Sequence, residues 1–282
     1  YRPSQESHTF REISQMGLEC IGAVDDAAAA QVVSLALRSL ALTGRDFVLE
    51  ISHMGFVTGL FDAVGAQEAV RPRLLTCIRD KNVHELRKAA EAAGLSRQGT
   101  DALCRLGTLA GPWQEVLAAA EVLALNAAMG AALEELRGLC RALEDQGQTD
   151  HWKLDFSLVN SMDYYNGVIF QGFLPNIPFP ALSGGRYDNL PRKMGKQVGA
   201  IGFALYMGRL EQYFSQERQY DADLLLTYGP DADLAKLAAF AEQIRSKGCT
   251  VRCEREMGPS APVRCRTKVR YYDGLRPEEV SL

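Results

Sequence analysis

Residues 158–190, LVNSMDYYNGVIFQGFLPNIPFPALSGGRYDNL, constrain the fold more than any other stretch of this chain. Two clusters, Asp163-Tyr164-Tyr165-Asn166 and Arg186-Tyr187-Asp188-Asn189, are joined by a proline-rich crossing and the pair Gly184-Gly185. Alternation from 162 to 170 predicts a strand, because side chains two apart share a face. Asp163, Tyr165 and Gly167 then lie together. A carboxylate, a phenol and room for a close neighbour suit a small polar ligand. The same pattern serves a buried strand whose tyrosines find hydrogen-bond partners; spacing leaves both open. The glycine pair predicts a tight turn, since glycine tolerates positive φ and lets a ligand approach the backbone.

Upstream, residues 9–23 (TFREISQMGLECIGA) also alternate. Gln15, Gly17 and Glu19 share one face; Met16, Leu18 and Cys20 share the other and are expected to be buried. A polar face of this kind equally describes the solvated side of a sheet edge. Asp25 or Asp26 can cap a helix running to about residue 42, stopped by Gly44, before a strand at 47–51. From 58 to 148 the texture becomes alanine- and leucine-rich, with its longest expected helix at 118–145. A helical block between two sheet-forming stretches reads as an insertion into, or a lid over, an α+β domain. Residues 198–211 pass from glycine-punctuated strand into helix, where Arg209 can meet an anion together with backbone N–H groups; a close helix–sheet contact also explains those glycines. After a linker at 215–220, strand, helix and strand predict a small α/β module. Its end, 256–268, is basic and broken by glycine and proline, and is read as a mobile loop or an incomplete part of the natural sequence.

Composition narrows the class of protein. In 282 residues the formal net charge is −4, which gives no general attraction to nucleic acid. No apolar run reaches membrane-spanning length, and the opening Tyr1-Arg2-Pro3-Ser4 has no signal-peptide pattern. Seven cysteines, odd in number and without a Cys-x-x-Cys pair, read as reduced thiols in a cytoplasmic protein. Four scattered histidines form no zinc pattern. Neither a metal nor a cofactor is expected.

In order, these pieces resemble the class II histidyl-tRNA synthetase core over about residues 1–214. FREISQMGLECIG is similar to its second motif, MDYYNGVIF and SGGRYDNL to its histidine-binding signatures, and AIGFALYMGRLE to its third motif. The resemblance implies an antiparallel sheet core at 1–59 and 149–216, a helical insertion at 60–148 and a small or truncated α/β domain at 220–282. It implies a histidine pocket formed by Gln15, Glu19, Asp163, Tyr164, Tyr165 and Tyr187, with Arg209 as an anion contact. A carboxylate and a phenol suit an imidazole, which donates from one nitrogen and accepts at the other. The family also carries a first motif and dimer contacts before the second motif; this sequence opens inside a strand that follows them.

Three departures separate the chain from the synthetases. Asn160 stands where they have an arginine that stabilises charge during amino-acid activation, and a neutral amide cannot replace a cation. Tyr206 stands where a glycine makes room for adenine, and Gly208 replaces a glutamate. A kept amino-acid pocket with lost adenylation groups resembles the regulatory subunit family of ATP phosphoribosyltransferase, a synthetase paralogue in histidine biosynthesis. That resemblance implies a non-catalytic protein with no catalytic residues of its own. It would pair with itself and with a short catalytic subunit, activate that subunit, and sense histidine for feedback. A histidyl-tRNA synthetase and a free-standing histidine-binding module are the alternatives.

Overall fold

The computed structural model describes residues 2–3, 10–11, 14–44, 46–160, 164–214, 220–256 and 263–280. They form two compact units, 1–213 and 214–282. In the first, two-residue strands β1 (Arg2–Pro3) and β2 (Phe10–Arg11) pair antiparallel. Then follow β3 (Gln15–Gly22), α1 (Asp26–Ala41), β4 (Val48–His53), α2 (Met54–Ala63), α3 (Arg71–Arg79), α4 (Val83–Ala92), α5 (Arg97–Leu106), β5 (Ala110–Gly111), α6 (Trp113–Glu121) and α7 (Ala127–Asp145). The unit continues with β6 (Trp152–Asp155), β7 (Val168–Phe173), β8 (Leu182–Arg186), α8 (Asn189–Lys193) and β9 (Gly199–Tyr206), and α9 (Met207–Phe214) leads out of it.

Seven strands make one sheet in the order β3-β9-β8-β7-β4-β6-β5, antiparallel except between β4 and β6. Alternation gives the sheet two unlike faces. One carries the register row Leu18–Phe203–Gly184–Phe170–Ile51–Leu154 and packs against α1 and the helices from 54 to 145. The other carries Glu19–Gly202–Gly185–Ile169–Ser52 and Gly17–Ala204–Ser183–Gln171–Glu50. Phe56, Phe61, Phe156 and Phe170 are fully buried in a core that also takes in Leu74, Leu86, Leu103 and Leu136, so the residues from 60 to 148 share the sheet's core. Asp25 caps α1 by accepting from Ala28 N–H at 2.8 Å, and Gly44 takes φ +63° just beyond the helix, where a side chain would be strained.

Local readings of the sequence shift in four places. Of the strand expected at 162–170, residues 162 and 163 lie outside the described residues, 164–167 are not strand, and the ladder opens at Val168 opposite His53. Before it, Asn166 N–H donates to Arg186 C=O and Gly167 C=O accepts from Met54 N–H, so the tyrosine pair stands in a loop. Gly184 and Gly185 lie within β8 and neither takes a positive φ; they are small for packing. A Cβ at Gly184 would come 2.6 Å from the Phe170 ring, and one at Gly185 2.8 Å from the Tyr165 ring. The helix expected at 118–145 is two, because Asn126 caps α7 through Met129 N–H while donating to Gly59 C=O at 2.8 Å. Met16 is 62% exposed despite its alternation with Gln15.

The second unit holds β10 (Ala222–Tyr228), α10 (Leu234–Arg245), β11 (Val251–Arg255) and β12 (Cys265–Arg270), followed by a short 3-10 turn at Pro277–Glu279. β10 is central and parallel to both neighbours. Phe240 and Tyr271 meet edge to face at 5.6 Å in its core. Part of the stretch expected to be a loop is therefore strand: Cys265 opposes Ala222, and Thr267 opposes Leu224. Residues 257–262 of that stretch lie outside the described residues. Among the described residues no helix is long and apolar enough to cross a membrane.

Candidate functional site

The face of the sheet turned away from the helices brings the sequence-predicted residues together. Glu19 projects from β3 over Gly202, where any side chain would displace its carboxylate. The Tyr187 hydroxyl donates to Glu19 Oε2. Tyr187 follows β8 and is buried, with its backbone N–H bonded to Ala200 C=O at 2.8 Å. Tyr164 stacks on its ring at 5.5 Å and 16°, and Tyr165 meets Tyr164 edge-on at 4.6 Å and 88°. Tyr165 lies over Gly185. Gln15 lies on the same face, opposite Tyr206, and is exposed. Asp163 lies outside the described residues.

Burial, with Glu19 beside it, pushes the Tyr187 hydroxyl well above its ordinary range, and burial does the same to Tyr165. Tyr164 is raised as well, by burial and by the Glu19 charge. All three phenols are therefore neutral at physiological pH, able to donate and to accept. One carboxylate with three neutral phenols is a recognition surface for a cationic or hydrogen-bonding ligand.

Arg209, which the resemblance implied as an anion contact, lies beside two aromatic rings. Its guanidinium stacks over the Tyr206 ring at 4.4 Å and lies 5.6 Å from the Phe179 ring, and Nη1 donates to Pro180 C=O. Tyr206 thus covers one face of that cation.

Behind the tyrosines lies a polar chain that sequence reasoning missed. His53 Nε2 is 3.0 Å from Glu135 Oε2, while its Nδ1 accepts from Gly55 N–H at 3.1 Å, which assigns the proton to Nε2. Glu135 Oε1 faces Arg186 Nη1 at 3.4 Å; Arg186 Nε donates to Asp188 Oδ2 at 2.9 Å; Asp188 Oδ1 accepts from Ala200 N–H at 2.9 Å. The hydrogen bond from His53 holds the Glu135 carboxyl below its usual range, with Arg186 adding to the effect against burial. Nothing in the spacing could have paired residues 53, 135 and 186. The one available signal was Glu135 itself, a carboxylate on a helix whose neighbouring turns are buried through Ala132, Leu136 and Leu139.

A family model described as histidyl-tRNA synthetase matches residues 1–210. The ATP phosphoribosyltransferase regulatory subunit of Bacillus licheniformis is 32% identical over 274 residues, covering 95% of this chain and 69% of the relative. The chain belongs to the ATP phosphoribosyltransferase regulatory subunit family. The regulatory subunit of Geobacter sulfurreducens is 33% identical over 250 residues, covering 87% of this chain. The chain covers 57% of that relative's own length. A crystal structure from Bacillus halodurans C described as an ATP phosphoribosyltransferase regulatory subunit/histidyl-tRNA synthetase superposes with TM-score 0.69 at 27% identity, covering 91% of this chain and 66% of that one. The α+β fold with its largely antiparallel sheet is of the class II synthetase type.

Proposed function

We propose that this chain is a non-catalytic regulatory subunit of ATP phosphoribosyltransferase that holds free histidine on the Glu19–Tyr187 face and passes its occupancy to a short catalytic subunit. The observation that carries the reading is the Tyr187–Glu19 hydrogen bond beneath the Tyr164–Tyr165 pair, on a sheet face where Gly202 makes room for Glu19 and Gly185 for Tyr165. Glu19 offsets the ligand's ammonium or imidazolium charge, and Tyr165 and Tyr187 complete the hydrogen bonds of the ring. The names of the relatives support a regulatory role. Tyr206, lying against Arg209 where the synthetases have a glycine that makes room for adenine, supports the loss of nucleotide chemistry.

Feedback requires that histidine favour the less active state of the complex; equal affinity for both states shifts nothing. Self-association as a dimer within the hetero-oligomer and a cytoplasmic location belong to the same reading. Co-purification with a short phosphoribosyltransferase subunit tests it: a complex with raised turnover, lowered again by histidine, is the expected result. The histidyl-tRNA synthetase family match favours a second reading, aminoacylation. Charging of tRNA with histidine and ATP would establish that reading in place of the first.

A further inference from the structure

The two faces of the sheet are tied together at β8. Arg186 shares the parity of Gly184 and points to the helix side, where it meets Glu135 of α7 and where its stem fills the space beside Gly167. Its neighbour Tyr187 serves the opposite face, against Glu19. Asp188 then turns back, binding Arg186 Nε with one oxygen and Ala200 N–H with the other, while Ala200 C=O accepts from Tyr187 N–H. Asn166, next to the tyrosine pair, accepts from Asp188 N–H at 3.0 Å through Oδ1. Tyr187 is thus clamped between two ion-paired residues, and Glu135 anchors the clamp to α7.

Helix α7 buries Leu133, Leu136, Leu139 and Leu143 in the core behind the sheet, which fixes where Glu135 stands relative to the strands. Glu135 grips two strands at once, His53 at the end of β4 and Arg186 at the end of β8. The geometry points to Glu135 as the positioning residue of the pocket: through Arg186 and Asp188 it sets where the Tyr187 hydroxyl stands against Glu19. This rests on the histidine reading above, and extends it by naming a residue behind the sheet that positions the tyrosine on the ligand's side.

Histidine titrated calorimetrically into the intact chain tests it, with wild type, Glu135→Gln, Tyr187→Phe and the double variant. Glu135→Gln is expected to weaken histidine about three- to tenfold, the loss set by exchanging an ionic for a neutral acceptor. If Glu135 acts through Tyr187, the double variant binds about as weakly as Tyr187→Phe alone. Independent sites would multiply to within about twofold. That additive result, or wild-type affinity in Glu135→Gln, overturns the assignment. A structural role alone would lower stability and leave the coupling at zero. Should Glu135→Gln fail to fold, Arg186→Lys keeps the charge but breaks the planar bridge between Glu135 and Asp188; unchanged histidine affinity there overturns the assignment equally. Wild type that binds no histidine removes the pocket reading, and this inference with it, and is distinguished from the other failures by that control.

Discussion

Replacing Asp188 with Asn measures how much the clamp around Tyr187 contributes. The Asp188 side chain is 9% exposed and bonds Ala200 N–H and Arg186 Nε, both at 2.9 Å. Asn keeps an oxygen for Ala200 but turns an N–H toward the guanidinium, so a charge-assisted bond is lost and a donor faces a donor. Such a bond is worth about 1.5–3 kcal/mol, and removing one member of a buried pair costs about 3–5 kcal/mol. Arg186 is 25% exposed and retains Glu135 at 3.4 Å, which places the loss at the low end, about 2 kcal/mol. For a unit of this size that corresponds to a fall in Tm of about 4–8 °C. The chain has two tryptophans, Trp113 and Trp152, both in the first unit, so their fluorescence during urea unfolding follows that unit alone. Asp62→Asn is the control: it pairs with Arg71 at 2.6 Å but is 62% exposed, and should change stability by under about 0.5 kcal/mol. An Asp188→Asn variant indistinguishable from that control, with unchanged m, would refute the view that the clamp holds the site together.

Glu19→Ala removes the acid that bonds Tyr187 and should weaken histidine about ten- to a hundredfold, from about 1.5–3 kcal/mol per charge-assisted bond; unchanged affinity by calorimetry would mean that the ligand sits elsewhere. The Glu135 carboxyl is lowered in the folded state, so its stabilisation is present above the unfolded carboxylate value near 4.5 and is lost as pH falls through the folded value. Urea midpoints of wild type and Glu135→Gln should therefore converge as pH drops below that value, and a constant gap would argue against an ionic role. Burial pushes the Cys140 thiol up to about 12, so alkylation at neutral pH should spare it in the folded protein and modify it in urea; rapid labelling of Cys140 in the native chain, read by peptide mass, would contradict its place in the core.

Much of the architecture was legible because it is written in local periodicity and in short motifs whose order is specific. The alternation around Gln15 and Glu19, the cap at Asp25, the stop at Gly44 and the α/β pattern of the second unit depend on residues within a few positions of one another. The motif order likewise made the family recognisable and named Glu19, Tyr164, Tyr165 and Tyr187, which the fold assembles on one face. Long-range packing decided the rest. Gly184 and Gly185 look like a turn in sequence, and only the neighbouring Phe170 and Tyr165 rings show that their small size, not their backbone freedom, is what the strand requires. The break at Asn126 follows from a bond to Gly59, 67 residues away, and the link from His53 through Glu135 to Arg186 joins positions separated by 82 and 51 residues. A hydrogen bond depends on a few ångströms of separation and carries no mark in the linear spacing of its partners, so the residues that hold the site in place became visible only once the sheet and α7 had brought them together.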